Sequence, residues 1–186
     1  MRSLRVVLLG GLLLFSASQA RAGESGRIQD PAWDFYAKSQ KQIQVAYHHL
    51  VRLYLHDLKD TVLKSQELQL AQADQQNERY YFLAEHHPER IIRNQGFNAF
   101  VNFPWTQEDE ALLLAGNKAF QKRQKQIDKL KTKLEQDPGY ARILDKLRAL
   151  SGDVEYRKIH TRFRFVPRDV ETLLSGQSLP DAENTF

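Results

Sequence analysis

The sequence predicts an all-α fold: an elongated helical bundle, or a long antiparallel helical hairpin with a shorter third helix and an extended C-terminal strap. Apolar residues recur every three or four positions along most of the chain, which is the spacing of one face of an α-helix. Neither glycine nor proline occurs from 32 to 87, so this stretch has no strong helix breaker. The chain has no cysteine, so its stability rests on a packed core and not on disulfides.

The N-terminal segment has the layout of a cleavable secretory signal. Arg2 and Arg5 precede an apolar run over 6–15, and small residues lead up to Ala20-Arg21-Ala22. The run is shorter than the roughly 20 apolar residues of a transmembrane helix, and no second run of that length follows. We therefore predict a periplasmic or secreted protein. Its predicted segments are a signal peptide at 1–22, a disordered stretch at 23–29, a single helical domain at 30–175 and a disordered tail at 176–186.

The positive charge of the chain belongs partly to this signal. The chain has 27 lysines and arginines against 23 acidic residues, a formal net charge of +4 and a pI of about 9.3. Arg2, Arg5 and Arg21 lie in the signal, which holds no acid, so removing them lowers the net charge from +4 to +1. Because the remaining charge is small and no DNA- or RNA-binding motif is present, nucleic acid is not a predicted partner.

Asp30 and Pro31 predict the start of the first helix, as its N-cap and first helical residue. The apolar residues of its core face fall within about 100° of arc: Trp33, Tyr36, Ile43, Tyr47, Leu50, Tyr54, Leu58 and Val62. One long helix or two consecutive helices fill 32–87, and Pro88 ends the last of them. Between 66 and 76 glutamines replace most apolar residues, so we expect an exposed helical arm there.

The segment 88–105 is less regular and carries four aromatic side chains: Phe97, Phe100, Phe103 and Trp105. Each ring has about 150–250 Å² of surface, which is costly to leave in water. Two interpretations are open. The rings close one end of the helical core, or they line a pocket for a ligand or a partner.

Thr106 predicts the N-cap of a helix over 107–136. Five lysines of this helix lie within about 80° of one face, and we name them the basic ridge: Lys118, Lys122, Lys125, Lys129 and Lys133. Apolar residues occupy the opposite face: Phe120, Ile127, Leu130 and Leu134. Arg123 projects with the apolar set. Because a buried charge needs a partner, we predict an acidic residue of another helix beside Arg123.

The C-terminal part is predicted to contain one helix and a strap. Asp137-Pro138 starts the helix, which runs over 138–150. In 161–165 phenylalanine alternates with polar residues, the period-2 pattern of extended chain. No second strand pattern is available to pair with this segment. We therefore expect an extended strap across the bundle, with Phe163 and Phe165 inserted in the core.

The basic ridge has two interpretations: a solvated helix face, or an electrostatic dock for an anionic partner. Arg162 and Arg164 add a second basic edge if the strap is extended. The partners that fit are a protein or an anionic envelope component, the latter being a polysaccharide or a lipid head group.

No motif for catalysis or cofactor binding is present. The sequence lacks the Gly-x-Ser-x-Gly element of hydrolases, a phosphate-binding glycine-rich loop and a dinucleotide fingerprint. His49, His56 and Asp60 project within about 40° of each other, but no Glu-x-x-His pair accompanies them. We predict no catalytic residues, no cofactor and no metal site, and an enzyme is the less favoured class. Whether those three residues ever bind a metal stays open.

Export, helical architecture and the absence of catalytic motifs favour a non-enzymatic protein that binds another macromolecule as a chaperone or adaptor. In these general features the chain resembles small ATP-independent periplasmic chaperones, although the repeated Leu-Thr-x-x-Gln element of one such family is absent. Two alternatives remain. One is a structural, coiled-coil-like subunit of a secretion or envelope assembly, which forms homo-oligomers. The other is a small-ligand-binding or enzymatic protein with a pocket near 97–105.

Overall fold

The structure is a computed structural model, and it describes residues 28–179. The predicted signal peptide at 1–22 lies outside these residues, as do 23–27 and 180–186 of the two predicted tails. Every regular element within 28–179 is a helix, so the predicted all-α class is confirmed. No helix in this part of the chain is both long and apolar enough to cross a membrane.

Two long helices form the centre of the fold: α1, Pro31–Tyr54, and α2, Lys59–His86. Between them the backbone leaves helical geometry at Leu55 (φ −117°, ψ 67°) and makes a single 3-10 turn. The stretch 32–87 is therefore two helices. They run antiparallel, because Trp33 at the start of α1 donates a hydrogen bond from Nε1 to Asn77 near the end of α2, over 2.8 Å.

Six shorter helices follow in the described residues: α3 Phe97–Val101, α4 Gln107–Gly116, α5 Lys118–Glu135, α6 Pro138–Ala149, α7 Val154–Phe163 and α8 Val166–Leu174. The single helix predicted over 107–136 is wrong, because the chain is extended at Asn117 (φ −125°, ψ 102°). The side chain of Asn117 accepts a hydrogen bond from the backbone N–H of Phe120 over 3.0 Å. It therefore caps a new helix, α5, where the sequence suggested continuity.

The predicted extended strap at 161–165 is also wrong. Helix α7 continues to Phe163, and α8 follows after a two-residue turn. Asp153 starts α7 by accepting hydrogen bonds from two backbone N–H groups of its first turn, at 2.8 and 3.1 Å. Phe163 is buried, as predicted, whereas Phe165 lies in the turn and is 37% exposed.

The short helices pack on two sides of the hairpin formed by α1 and α2. Helix α5 lies along α2, while α7 and α8 lie along α1. Apolar residues of α5 are buried against Leu68 and Ala71 of α2. Within this contact Gln75 is buried and donates a hydrogen bond to Gln124 of α5. The predicted exposed arm is therefore wrong, because α5 covers the glutamine-rich part of α2.

Two further clusters close the ends of the hairpin. At the corner between α1 and α2, helix α6 buries Ile143 against residues of both long helices: Leu50, Val51 and Val62. The opposite end holds a larger aromatic cluster, built from α1, α2, the segment after α2, and α8. Its buried members include Trp33, Tyr80, Phe100 and Val170.

Candidate partner-binding surfaces

The basic ridge lies on the solvent side of α5. All five of its lysines are exposed, while the apolar residues on the opposite face of the helix are buried. At about 1.5 Å of rise per residue, the row from Lys118 to Lys133 is about 22 Å long. Within residues 28–179, no carboxylate forms an ion pair with any of these five lysines. The ridge is thus a row of five charges that face solvent.

The acidic partner predicted for Arg123 is present. The side chain of Arg123 is 25% exposed and forms an ion pair with Glu78 of α2. The second carboxylate oxygen of Glu78, Oε2, is buried and has no hydrogen-bond partner among the described residues. The next residue of α2, Arg79, makes a bidentate pair with Glu110 of α4 at 3.0 and 2.9 Å. These pairs fix α4 and α5 to α2, so the ridge faces outward.

A second exposed basic surface lies on α7 and the turn after it. It is a shallow depression that we name the α7 face, lined by Val154, Arg157, Lys158, Thr161, Arg162 and Phe165. Its two apolar members remain in contact with solvent, since Val154 is 57% and Phe165 37% exposed. The guanidinium carbons of Arg164 and Arg168 lie 4.5 and 4.6 Å from the centre of the Phe165 ring. These are cation–π contacts, and they gather positive charge around an exposed ring.

The structure does not bring together the two sets of basic residues that the sequence singled out. The ridge belongs to α5, which packs on α2. Arg162 and Arg164 belong to α7 and its following turn, and α7 packs on α1. The ridge and the α7 face are therefore two separate surfaces on different flanks of the hairpin.

The four aromatic residues between 97 and 105 pack on the end of the hairpin. Phe100 and Phe103 are buried, and their ring centres each lie 5.8 Å from that of Tyr80. Phe97 and Trp105 are half-buried, and each has a ring of α1 or α2 at 5.7 Å. This packing favours closure of the core end over an open pocket. A pocket lined by these four rings stays a prediction.

The carboxylate of Asp30 is buried at the same end of the hairpin and has two partners that the sequence did not predict. Asp30 caps α1 and also accepts hydrogen bonds from the Tyr80 hydroxyl and the Arg93 guanidinium. Burial alone would raise the pKa of Asp30, but these hydrogen bonds hold the pKa below its usual 3.8. Burial and the neighbouring carboxylate raise the pKa of Tyr80. The partners lie 50 and 63 positions away, and no sequence pattern connects them.

A cavity of about 500 Å³ lies between α2 and α4. Its walls combine the rings of Tyr81 and Phe82 with the carboxylates of Glu78 and Glu85 and the side chain of Leu112. No pattern in the sequence indicates this cavity, because its residues come from two helices whose mutual position no periodicity reveals. Because Glu78 is already paired with Arg123, the exposed carboxylate of Glu85 and the two rings are what suits a small ligand that is both cationic and apolar.

The histidines form no metal centre in the described part of the chain, where no group of three or more ligand side chains is found. The three residues that share one side of the hairpin corner in the sequence pattern are exposed: His49, His56 and Asp60. A different histidine, His48, is buried. Its Nδ1 donates to the carbonyl of Gln44 over 2.8 Å, so Nε2 accepts from the Ser65 hydroxyl over 3.0 Å. Both members of this Ser–His pair are buried, so the pair joins α1 to α2 and offers no surface to a substrate.

Comparisons with protein-family models, with curated proteins and with solved structures find no match to this chain. One fold serves many functions, so the surfaces indicate the function better than the fold does. Three surfaces have the chemistry to bind a partner or a ligand: the basic ridge, the α7 face and the cavity between α2 and α4.

Proposed function

We propose that this protein is a non-enzymatic, exported adaptor that binds an acidic partner protein through the basic ridge. The observation that carries the proposal is the row of five unpaired lysines, on a helix whose other face is fixed to α2. The signal-like N-terminus supports export to the periplasm or out of the cell. Within the described residues, helical packing and the absence of an exposed Ser–His pair support a binding role.

The spacing of the ridge suggests what the partner presents. Successive lysines are three or four residues apart, so they follow the helical repeat in a straight row. A partner helix with acidic residues at the same spacing meets each lysine in turn, as the flanking charges of coiled coils do. Helix α5 exposes no large apolar side chain. The ridge therefore selects by charge, which favours an adaptor over a chaperone that holds apolar client segments.

Two synthetic helical peptides of identical composition test this proposal. In one, five glutamates follow the spacing of the ridge; in the other, the same glutamates are spread around the helix. We expect the matched peptide to bind the protein about tenfold more tightly at low salt, since exposed ion pairs each contribute up to about 1 kcal/mol. Isothermal titration calorimetry measures both dissociation constants.

A matched pair of variants locates the binding surface. The triple substitution Lys122→Gln, Lys125→Gln and Lys129→Gln removes three ridge charges and keeps helix propensity. The control Lys38→Gln, Lys59→Gln and Lys131→Gln removes three exposed charges outside the ridge. Only the ridge variant is expected to lose the preference for the matched peptide. Equal binding of both peptides, or equal loss in both variants, contradicts the proposal.

Two other experimental outcomes would show that the proposed acidic partner protein is wrong. An anionic polysaccharide that binds the ridge as tightly as the matched peptide would make the partner a polymer of the envelope. Concentration-dependent oligomers of the isolated protein, measured by light scattering, would favour the structural-subunit alternative instead.

The cavity between α2 and α4 supports a second candidate function, the binding of a small ligand. Its volume of about 500 Å³ lies within the usual range of about 300–1,000 Å³ for ligand pockets. It borders the aromatic segment, since the ring of Phe82 in its wall contacts Trp105 at 5.7 Å. An aromatic amine is the probe that fits its rings and the exposed carboxylate of Glu85.

Leu112→Trp tests the second candidate, because Leu112 is exposed at the wall of this cavity and tolerates a larger side chain. We expect benzylamine, used as the probe, to perturb NMR signals of the cavity residues in the natural protein and not in the variant. Identical perturbations in both proteins would remove this candidate.

A further inference from the structure

We propose that the α7 face is a docking surface for an anionic phospholipid bilayer and holds the protein at a membrane surface. The inference is independent of the basic ridge, because the two surfaces lie on different flanks of the hairpin. It concerns attachment to the surface of a bilayer, by a helix that lies parallel to it.

The α7 face forms one continuous stripe of the helix. Its members recur at three- and four-residue intervals from Val154 to Phe165, so they share one side of α7. The other side of the helix faces the core: Tyr156, Ile159 and Phe163. At about 1.5 Å per residue the stripe is about 16 Å long. Helix α7 is therefore amphipathic in an unusual sense, since its outer side is cationic and partly apolar.

The chemistry of the stripe matches the interface of a bilayer. Phe165 and Val154 lie at its two ends and are exposed, so both are available for insertion among acyl chains near the head groups. Arg164 and Arg168 surround the Phe165 ring, and a guanidinium binds phosphate oxygens through two parallel hydrogen bonds. An anionic bilayer supplies phosphates and apolar chains in the same plane.

The acidic residues near the stripe limit its strength and do not cancel it. Lys158 is paired with Glu155 at 2.6 Å, and Arg168 with Asp169 at 2.9 Å. Arg157 forms no ion pair within the described residues. The expected attachment is weak and reversible, since a single small patch of charge and apolar surface gives modest membrane affinity.

The contrast with the ridge favours lipid over an acidic protein as the occupant of the α7 face. The ridge is longer and as strongly charged, yet its helix exposes no large apolar side chain. Charge alone is enough for a soluble acidic partner. The α7 face also exposes phenylalanine and valine beside the cations, and these side chains need an apolar environment. A bilayer surface offers acyl chains beside its phosphates.

Sedimentation with vesicles tests the inference, using the chain without its predicted signal. Vesicles of equal parts phosphatidylglycerol and phosphatidylcholine are compared with vesicles of phosphatidylcholine alone. We expect binding to the anionic vesicles only. Arg157→Gln with Arg164→Gln is expected to weaken binding about 25-fold, from about fivefold for each basic residue near an anionic surface. Phe165→Ser is expected to weaken it about tenfold.

The control is Lys122→Gln with Lys129→Gln, which removes the same charge from the ridge and is expected to change vesicle binding less than about threefold. Circular dichroism confirms that each variant is folded. Equal loss from the ridge control and the face variant would show unspecific attraction and overturn the inference. Unchanged binding by Phe165→Ser would do the same. If glycerol phosphate at low concentration releases the protein from the vesicles, the α7 face is a phosphate site and not a bilayer surface. If an acidic peptide releases it, the occupant is a protein.

Discussion

The two flanks of the hairpin carry similar charge and use their apolar residues in opposite ways. On one flank, α5 buries its large apolar side chains against α2 and exposes the lysines of the ridge with no large apolar side chain beside them. On the other, α7 and its turn leave Val154 and Phe165 exposed among arginines and a lysine. Net charge therefore does not define a binding surface by itself. The position of the apolar residues separates a surface that attracts acidic polymers or proteins from one that suits a bilayer.

The largest expected effect distinguishes a buried ring from an exposed one. Phe120→Ala on the α5 flank should lower the free energy of unfolding by about 3–5 kcal/mol, because the ring is 0% exposed and its removal leaves a cavity. Phe165→Ala on the other flank should cost less than about 1 kcal/mol. Chemical denaturation measures both. Similar losses would mean that Phe165 serves the core and not a surface.

The second-largest loss of stability is expected from breaking the ion pair between Arg123 and Glu78 beneath the ridge. Arg123→Ala leaves the half-buried carboxylate of Glu78 unpaired, and one of its oxygens already has no hydrogen-bond partner in the described residues. We expect the free energy of unfolding to fall by about 2–3 kcal/mol. Arg157→Ala, a matched change on the α7 face, should cost less than about 0.5 kcal/mol. Comparable costs from the two alanine variants would remove the structural distinction between the flanks.

The stability of the hairpin formed by α1 and α2, which both flanks share, should depend on pH. Burial lowers the pKa of His48 below its usual 6.5, so the unfolded chain binds a proton more readily than the folded one. The contribution of neutral His48 to stability is present above pH 6.5 and is lost as the pH falls below it. The free energy of unfolding, measured from pH 7 to pH 5, should decline in the natural protein and less in His48→Gln. An identical decline in both would assign the effect to other groups.

The smallest expected effect is a gain in stability. Lys118→Gln relieves the like-charge repulsion between Lys118 and Lys122, which lie one turn apart at the end of the ridge; this repulsion is about 0.2–0.5 kcal/mol for one such pair. The free energy of unfolding should rise by a few tenths of a kcal/mol at low salt. At 1 M salt, where screening acts within about 3 Å, the gain should disappear. A loss of stability would show that these lysines have a structural partner.

The sequence predicted what repeats along one helix, and it failed where two distant segments meet. The two faces of α5 follow from spacing alone, and so does the need of Arg123 for an acidic partner. That the partner is Glu78 depends on how α5 lies on α2. The strap failed because a five-residue alternation also fits the end of a helix followed by a turn. No glycine or proline marks the break at Leu55, whereas Gly116 directly precedes the break at Asn117 and was outweighed by the helical spacing on either side.

Three distant parts of the chain meet at the carboxylate of Asp30, so the surroundings of the first helical turn form only after later segments have folded. Asp30 caps the first helix, yet it also accepts hydrogen bonds from Tyr80 and from Arg93, which lies 63 positions later. When the chain is synthesised or exported from its N-terminus, the first helical turn is available before these partners, which lie 50 and 63 positions later. Trp33 likewise waits for the Tyr80 ring, on which it stacks at 3.9 Å. A chain interrupted before residue 93 lacks the guanidinium that pairs with Asp30. The hydrogen bonds of Asp30 are thus complete only when both long helices and the segment after them are in place.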